Sequence, residues 1–323
     1  MFESFRDAVL DRSILFSFDR SGFERHAARF RPGDLEVDGR GRVCLVTGAN
    51  SGIGFAAAEG LARSGATVWM LCRDLRRGRQ ALDALRRRVA GADLRLARLD
   101  VSDLGAVRSV AASAAPPRID ALVHNAGVLP AQRTCTADGI ETTLATNVIG
   151  PFLLTQLLWS RLAATPDARV VWVSSGGMYA TRLSLADPNW ERRPFDGVAA
   201  YAQTKRMQAV LAEEMAARGA ADGIGVHAMH PGWADTPAVR TSLPRFHRWM
   251  HQRLRTPEQG ADTVVWLATR PGQEIPSGRF WLDRTVQPTH LLPFTRERAD
   301  ERAALWELCA DRATAGAAQR RRA

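Results

Sequence analysis

The sequence predicts an α/β fold, a single Rossmann-type doubly wound parallel sheet with helices on both faces. From Gly41 onward, short apolar runs rich in branched residues alternate with longer helical patterns. A glycine-rich turn follows the first of these runs and opens a helix. No internal repeat or low-complexity linker divides the chain, so one domain accounts for the alternation. Strands joined through helices in this way run parallel, because a right-handed crossover brings each one back into the same sheet.

Residues 1–37 read as an N-terminal extension. Phe2, Phe5, Val9, Ile14, Leu15, Phe16, Phe18 and Phe23 fall on segments able to form short amphipathic helices, and eight acids nearly balance seven arginines over residues 1–40. A helix on a membrane surface usually carries a basic polar face, so packing against the domain or a second subunit fits better, with interfacial membrane contact as the alternative. The first strand covers 42–47, where Val43, Cys44, Leu45 and Val46 run continuously apolar, as a strand covered on both faces requires. Strands follow at 67–71, 94–99, 119–124, 170–174 and 224–229, each a short apolar run between helical segments. The domain extends over 38–312 and ends in a short basic tail, 313–323.

Forty-four basic against 34 acidic residues give the 323-residue chain a net charge of +10, and Arg320-Arg321-Arg322 closes it. The arginines are scattered among acids, and no stretch interleaves basic and aromatic residues, so nucleic acid is excluded as a partner. Cys44, Cys72, Cys135 and Cys309 lie far apart without a C-x-x-C pair, which predicts buried free thiols in a reducing compartment, neither disulfides nor metal ligands. No cleavable leader and no run of the ~18 apolar residues that begins a membrane span is present. A cytoplasmic protein without a transmembrane segment is expected.

Lys205 is the single lysine beside 43 arginines, four residues after Tyr201. On a helix over 200–218 the two side chains share a face. Lys is a compact, flexible charge able to touch a phenol and two hydroxyls together, which the planar fork of Arg cannot do. A positive charge there should lower the Tyr201 pKa from about 10 toward neutrality and make it an acid/base catalyst. The glycine turn, Thr47-Gly48-Ala49-Asn50-Ser51-Gly52-Ile53-Gly54, is spaced G-x-x-x-G-x-G and precedes the helical stretch that starts at Phe55. Such a turn lets backbone approach a pyrophosphate at a helix N-terminus, so Gly48, Asn50, Ser51, Gly52, Ile53 and Gly54 form a dinucleotide cradle. At the end of the second strand, Arg73 suits a 2′-phosphate and favours NADP, while the neighbouring Asp74 keeps NAD as the alternative.

These motifs together resemble the short-chain dehydrogenase/reductase family over about residues 41–290. That resemblance implies adenine-side contacts at Asp100 and Val101. It also implies an N-N-A-G motif present here as His124-Asn125-Ala126-Gly127, whose first residue departs from the family and reads as structural. Asn125, Ala126 and Gly127 would lie along the cofactor. Asn147, Ser175, Tyr201 and Lys205 match the catalytic set, with Ser174 as the alternative to Ser175, and Pro231, Gly232 and Thr236 match the nicotinamide side. The phrases Pro194-Phe195-Asp196-Gly197 and Met229-His230-Pro231-Gly232-Trp233 are similar to the member-12 type of the family. The implied chemistry has Tyr201 exchange a proton with a carbonyl oxygen that Ser175 holds. Lys205 binds the nicotinamide ribose and lowers the Tyr201 pKa, and Asn147 positions a water in a relay from Lys205 to solvent. The family's substrate lid falls at about 233–256, where Trp233, Leu243, Phe246, Trp249, Met250 and Leu254 either line a pocket for a bulky apolar carbonyl or alcohol or pack the lid onto the core.

His227, His230 and Asp235 lack a third ligand at metal spacing, and Ser175 sits in no G-x-S-x-G elbow, so metal and serine-hydrolase chemistry are set aside. The expected function is an NAD(P)(H)-dependent carbonyl reductase or alcohol dehydrogenase acting on a small molecule, with a homo-oligomer left open. The competing readings are a non-catalytic nucleotide-binding scaffold and a membrane-associated lipid-alcohol dehydrogenase.

Overall fold

The computed structural model describes residues 14–271 and 274–320. Phe2, Phe5 and Val9 of the extension and Arg321-Arg322 of the tail lie outside the described residues. The six apolar runs are strands: β1 Val43–Thr47, β2 Thr67–Cys72, β3 Leu94–Arg98, β4 Ala121–His124, β5 Arg169–Val173 and β6 Gly225–Met229. Two further strands, β7 Arg279–Leu282 and β8 Thr285–Gln287, were not expected. The sheet order is β3-β2-β1-β4-β5-β6-β7-β8, parallel except for the final β7–β8 hairpin. The winding direction reverses between β1 and β4, which opens a crevice beyond the C-terminal ends of those strands.

Successive residues of each strand point to opposite faces, and both faces are covered. Leu45, Leu71, Leu122, Val170 and Trp172 join one core with the helices Gly150–Ala163, Gly197–Arg218 and Ala299–Arg320. Val46, Met70, Val123, Val171 and Val173 join the other with Gly52–Arg63, Leu75–Arg88 and Pro257–Thr269. This is why the central strands read as apolar runs, while the edge strand β3 carries exposed Arg95 and Arg98. Cys44, Cys72 and Cys309 are buried thiols as expected, but Cys135 is exposed, because it sits in the irregular segment after β4 instead of in a strand or helix.

The β7–β8 turn is made by Asp283 and Arg284, both with positive φ (48° and 58°), a conformation that usually selects Asn or Gly. Side-chain bonds hold them there. Arg284 Nε and Nη2 donate to the Asp262 carboxylate at 2.8 and 2.6 Å. Arg255 Nη1 and Nη2 donate to Asp283 at 2.6 and 2.8 Å, and His26 Nδ1 lies 2.6 Å from the same carboxylate.

Arg255 is 0% exposed and reaches further. Its Nε donates to the Asp19 carbonyl and its Nη2 to the Ser17 carbonyl, at 3.1 and 2.8 Å. The guanidinium also lies across Gly232, where φ is +72° and any Cβ would collide with it. The extension thus meets the neck of the 233–256 segment. Trp233 N donates to Phe18 O, and Arg20 N donates to Arg253 O. Phe18 is buried, with its ring 4.3 Å from His230 and 5.9 Å from Trp233. Met250 and Leu254 pack inward, Phe246 stacks edge-on to Trp233 at 5.3 Å, and Trp249 is 74% exposed. Among the described residues no helix is long and apolar enough to cross a membrane.

Replacing Arg255 by Met should cost about 3–5 kcal/mol, because it strands the buried Asp283 carboxylate without its partner. Guanidinium unfolding measures this, and a loss under ~1 kcal/mol, the size typical of an exposed pair, would refute the central role given to the ion pair.

Candidate active site at the sheet switch point

The cradle forms where β1 passes into the helix Gly52–Arg63. Gly48 and Gly52 have φ of +68° and +56°, and a Cβ on Gly54 would collide with the Asn125 amide. Ser51 is the N-cap but its side chain makes no capping bond, so the first-turn N–H groups are not spent on a side-chain cap. Exposed N–H donors at the positive end of a helix, with no Cβ in the way, suit a pyrophosphate. Asn50, Ser51 and Ile53 are partly exposed at its mouth. Asn125 acts as a brace: its Nδ2 donates to the Thr47 and Gly48 carbonyls at 3.0 and 3.4 Å. Thr47 Oγ1 in turn accepts from the Asn125 and Ala126 N–H groups, both at 3.0 Å. The amide of Asn125 is therefore turned onto the glycine loop.

At the far end of the crevice Cys72 is buried and Arg73 is exposed, with Nε 4.0 Å from Asp100 Oδ2. Asp74 accepts from the Arg76 and Arg77 N–H groups as the cap of Leu75–Arg88. Those bonds hold its carboxyl below the usual range, the Arg77 N–H first among them. Asp100 Oδ1 accepts from Ser102 N and Oγ, and the Val101 carbonyl presses so closely on Gly150 that no Cβ fits there.

The candidate reacting groups come from three elements. Ser175 caps the short helix Gly176–Ala180, its Oγ accepting from Gly177 N at 3.2 Å. Its hydroxyl lies close enough to the Tyr201 phenol to favour the ionised form. Ser174, the alternative, is buried and donates to the Lys205 carbonyl at 2.9 Å, so its hydroxyl ties β5 to the helix Gly197–Arg218. Tyr201 is partly exposed, with Lys205 Nζ 5.2 Å from its ring centre. The other tyrosine, Tyr179, donates to the Pro288 carbonyl, and burial pushes its pKa up.

The expected lowering of the Tyr201 pKa is not what this geometry gives. Burial pushes it up to about 12, with the Ser175 hydroxyl pulling the other way. Burial also brings Lys205 down to about 7. The ammonium spends two bonds elsewhere, on Val173 O at 2.8 Å and Gln208 Oε1 at 3.1 Å. Asn147 lies in a π turn, Ala145–Ile149, that runs directly into Gly150–Ala163. Its Oδ1 accepts from Val128 N at 2.9 Å, and its Nδ2 donates to Val128 O at 3.2 Å and Thr204 Oγ1 at 2.9 Å. The side chain thus pins the loop after β4, with Oδ1 bordering the same side of Gly127 as Lys205 Nζ, and the Asn147 carbonyl accepts from Gln208 Nε2 at 2.6 Å.

Among the residues expected at the nicotinamide, Thr236 caps Pro237–Ser242, and its methyl faces Gly52. Pro231 is buried, and Gly232 is required by Arg255 stacking. His124 Nε2 pairs with Thr155 Oγ1 at 2.7 Å, and burial lowers its pKa to about 3, in keeping with a structural residue. His230 Nδ1 accepts from Gly176 N at 3.0 Å, and His227 packs 6.1 Å from Trp281. Asp235 pairs with Arg240 and His247. Gln208 and the π turn were missed by sequence reading. The i, i+3 spacing of Lys205 and Gln208 was a signal, but the Asn147 carbonyl that completes the bridge belongs to an element 61 residues away.

A sequence model described as short chain dehydrogenase matches residues 42–245. The chain is 42% identical over 289 residues to dehydrogenase/reductase SDR family member 12 of Bos taurus, covering 89% of this chain and 90% of that protein. It is 35% identical over 247 residues to human retinol dehydrogenase 12, covering 75% and 78% of the two. A crystal structure of an uncharacterized protein from Mycobacterium paratuberculosis superposes with a TM-score of 0.70 at 30% identity, covering 87% of this chain and 97% of that one. With the crevice, the glycine cradle and this agreement along most of its length, the chain belongs to the short-chain dehydrogenase family of NAD(P)-dependent oxidoreductases.

Proposed function

We propose that the protein is an NADP(H)-preferring carbonyl reductase or alcohol dehydrogenase for a bulky, apolar small molecule. The observation that carries this reading is the meeting of Ser175, Tyr201 and Lys205 beside a cradle fitted to a dinucleotide. Gly48, Asn50, Ser51, Gly52, Ile53 and Gly54 would hold the pyrophosphate, Asp100 and Val101 the adenine side, and Lys205 and Thr236 the nicotinamide side. The bound nicotinamide supplies or accepts hydride. Ser175 holds the substrate oxygen, and Tyr201 gives it a proton in reduction or removes one in oxidation. A phenol with a raised pKa keeps its proton at neutral pH, which suits the donor role.

Arg73 supports NADP because its guanidinium is exposed beside a buried Cys72, whereas the nearby acid, Asp74, is occupied as a helix cap. The aromatic line Phe18, Trp233 and Phe246 supports an apolar substrate, and the likeness to a protein named retinol dehydrogenase points the same way. A panel of carbonyls and alcohols, followed by absorbance of the reduced nicotinamide, tests the assignment, and inactivity toward every bulky apolar compound would overturn it.

Three variants sharpen this. Tyr201→Phe should lower turnover by about 10² to 10⁴-fold while leaving nucleotide binding nearly intact, since it removes only the proton donor. Turnover at the wild-type rate would refute the assignment. Lys205→Arg should also be severely impaired, although arginine serves at every other basic position, because a fork does not fit a socket only 3% exposed. Arg73→Ala should weaken NADP binding selectively in titrations of both dinucleotides. Equal losses for NAD and NADP would refute the preference.

A further inference from the structure

Gln208 lies one helical turn beyond Lys205 on the helix Gly197–Arg218 and is 0% exposed. Its two amide atoms have different partners. Nε2 donates to the Asn147 carbonyl at 2.6 Å, and Oε1 accepts from Lys205 Nζ at 3.1 Å. The orientation is unambiguous, because a reversed amide would set NH₂ against an ammonium and oxygen against a carbonyl. A buried glutamine whose donor and acceptor are both used, and used on two groups of one site, is a specific connector. Water cannot replace it at no cost in so enclosed a place.

The consequence falls on Lys205. An ammonium has three N–H bonds, and here Val173 O and Gln208 Oε1 take two. The third is left for the side where Gly127 stands, an added Cβ on which would lie 3.5 Å from Nζ, and where the Tyr201 ring begins. The groups around Nζ are Tyr201 and Gln208 from its own helix, Val173 from β5, Gly127 from the loop after β4 and, beside that glycine, the Asn147 side-chain oxygen from the π turn; Tyr201 is the titratable one among them.

We infer that Gln208 is a positioning residue of the active site, its amide bridging the Lys205 ammonium to the Asn147 carbonyl so that the remaining N–H of Lys205 is aimed at the reacting side. The consequence for turnover rests on the function proposed above; the bridge itself does not. Besides aiming the ammonium, the amide oxygen stabilises its charged form against burial, and the amide N–H ties the helix to the π turn. Substitution therefore moves the protonation of Lys205 in a direction set by the chemistry of the replacement. A carboxylate in its place favours the ammonium, and a thioether, which accepts hydrogen bonds poorly, disfavours it.

The single lysine makes this directly measurable. Growth on lysine carrying ¹³C at Cε gives the full-length protein one labelled side chain, and its chemical shift against pH reports Lys205 alone. Gln208→Glu should raise the midpoint above that of the wild type, and Gln208→Met should lower it. The alkaline limb of kcat/KM, which reports the free enzyme, should move in the same sense in each variant. A merely structural glutamine would instead give loss of stability in both with the midpoint unmoved.

Either variant suffices, since each has its own expected sign. Unmoved midpoints, or shifts of the same sign in both, overturn the bridge. Midpoints that separate while the alkaline limb stays in place overturn its role in the reaction. Wild-type protein inactive on every carbonyl and alcohol would count against the proposed function, and the titration would still decide the bridge.

Discussion

The pairing of Arg255 with Asp283 lies where the N-terminal segment, the β7–β8 turn and the stretch before the helix Pro257–Thr269 come together. Each charge alone would be costly in the interior, and each is matched by the other and by further bonds, so they persist as a pair or not at all. Because the guanidinium has donors to spare, it also satisfies the carbonyls of Ser17 and Asp19, and because it is flat it can lie over Gly232. Three choices that look unrelated in the chain thus have one cause: an arginine just before the helix Pro257–Thr269, a glycine after Pro231, and an aspartate in a turn where asparagine or glycine is usual.

Lys205 is buried as deeply but has no carboxylate partner. Val173 and Gln208 offer it neutral oxygens only, so no opposite charge offsets the burial that brings its pKa down to about 7. The chemistry of the two side chains follows the difference. A guanidinium keeps its proton everywhere and serves fixed architecture, whereas an ammonium can be brought near neutrality and serves a site that exchanges protons. A chain that uses arginine at 43 positions and lysine at one has separated these tasks by residue type.

The central strands were legible because burial on both faces leaves an apolar run, whereas β3, at the sheet edge, interleaves Leu94, Leu96 and Ala97 with exposed Arg95 and Arg98. Their observed bounds differ from the expected ones by one or two residues, as at β4, which begins at Ala121 and not at 119. The β7–β8 hairpin was not legible, since its strands are four and three residues long and its turn lacks glycine. Of the site, the order of motifs along the chain was enough to name Ser175, Tyr201 and Lys205. What could not be read was the environment: a spacing of four residues says that two side chains meet, but not that Lys205 is buried and Tyr201 partly so. The inverted direction of the Tyr201 shift follows from that one omission. Gln208 stayed hidden for a related reason, because half of its bridge is a backbone carbonyl, and backbone has no letter in a sequence.

The anchoring of the N-terminal segment has a consequence for biosynthesis. Asp19 leaves the ribosome early, but Arg255, whose guanidinium its carbonyl receives, is 236 residues further on. At roughly 5–20 residues per second, that separates the two by about 10–50 seconds of translation. Throughout this interval Phe18 has no His230 or Trp233 to cover it, and the nascent chain carries an uncovered aromatic at its leading end. Seating of this segment therefore waits for residues made 236 positions after it.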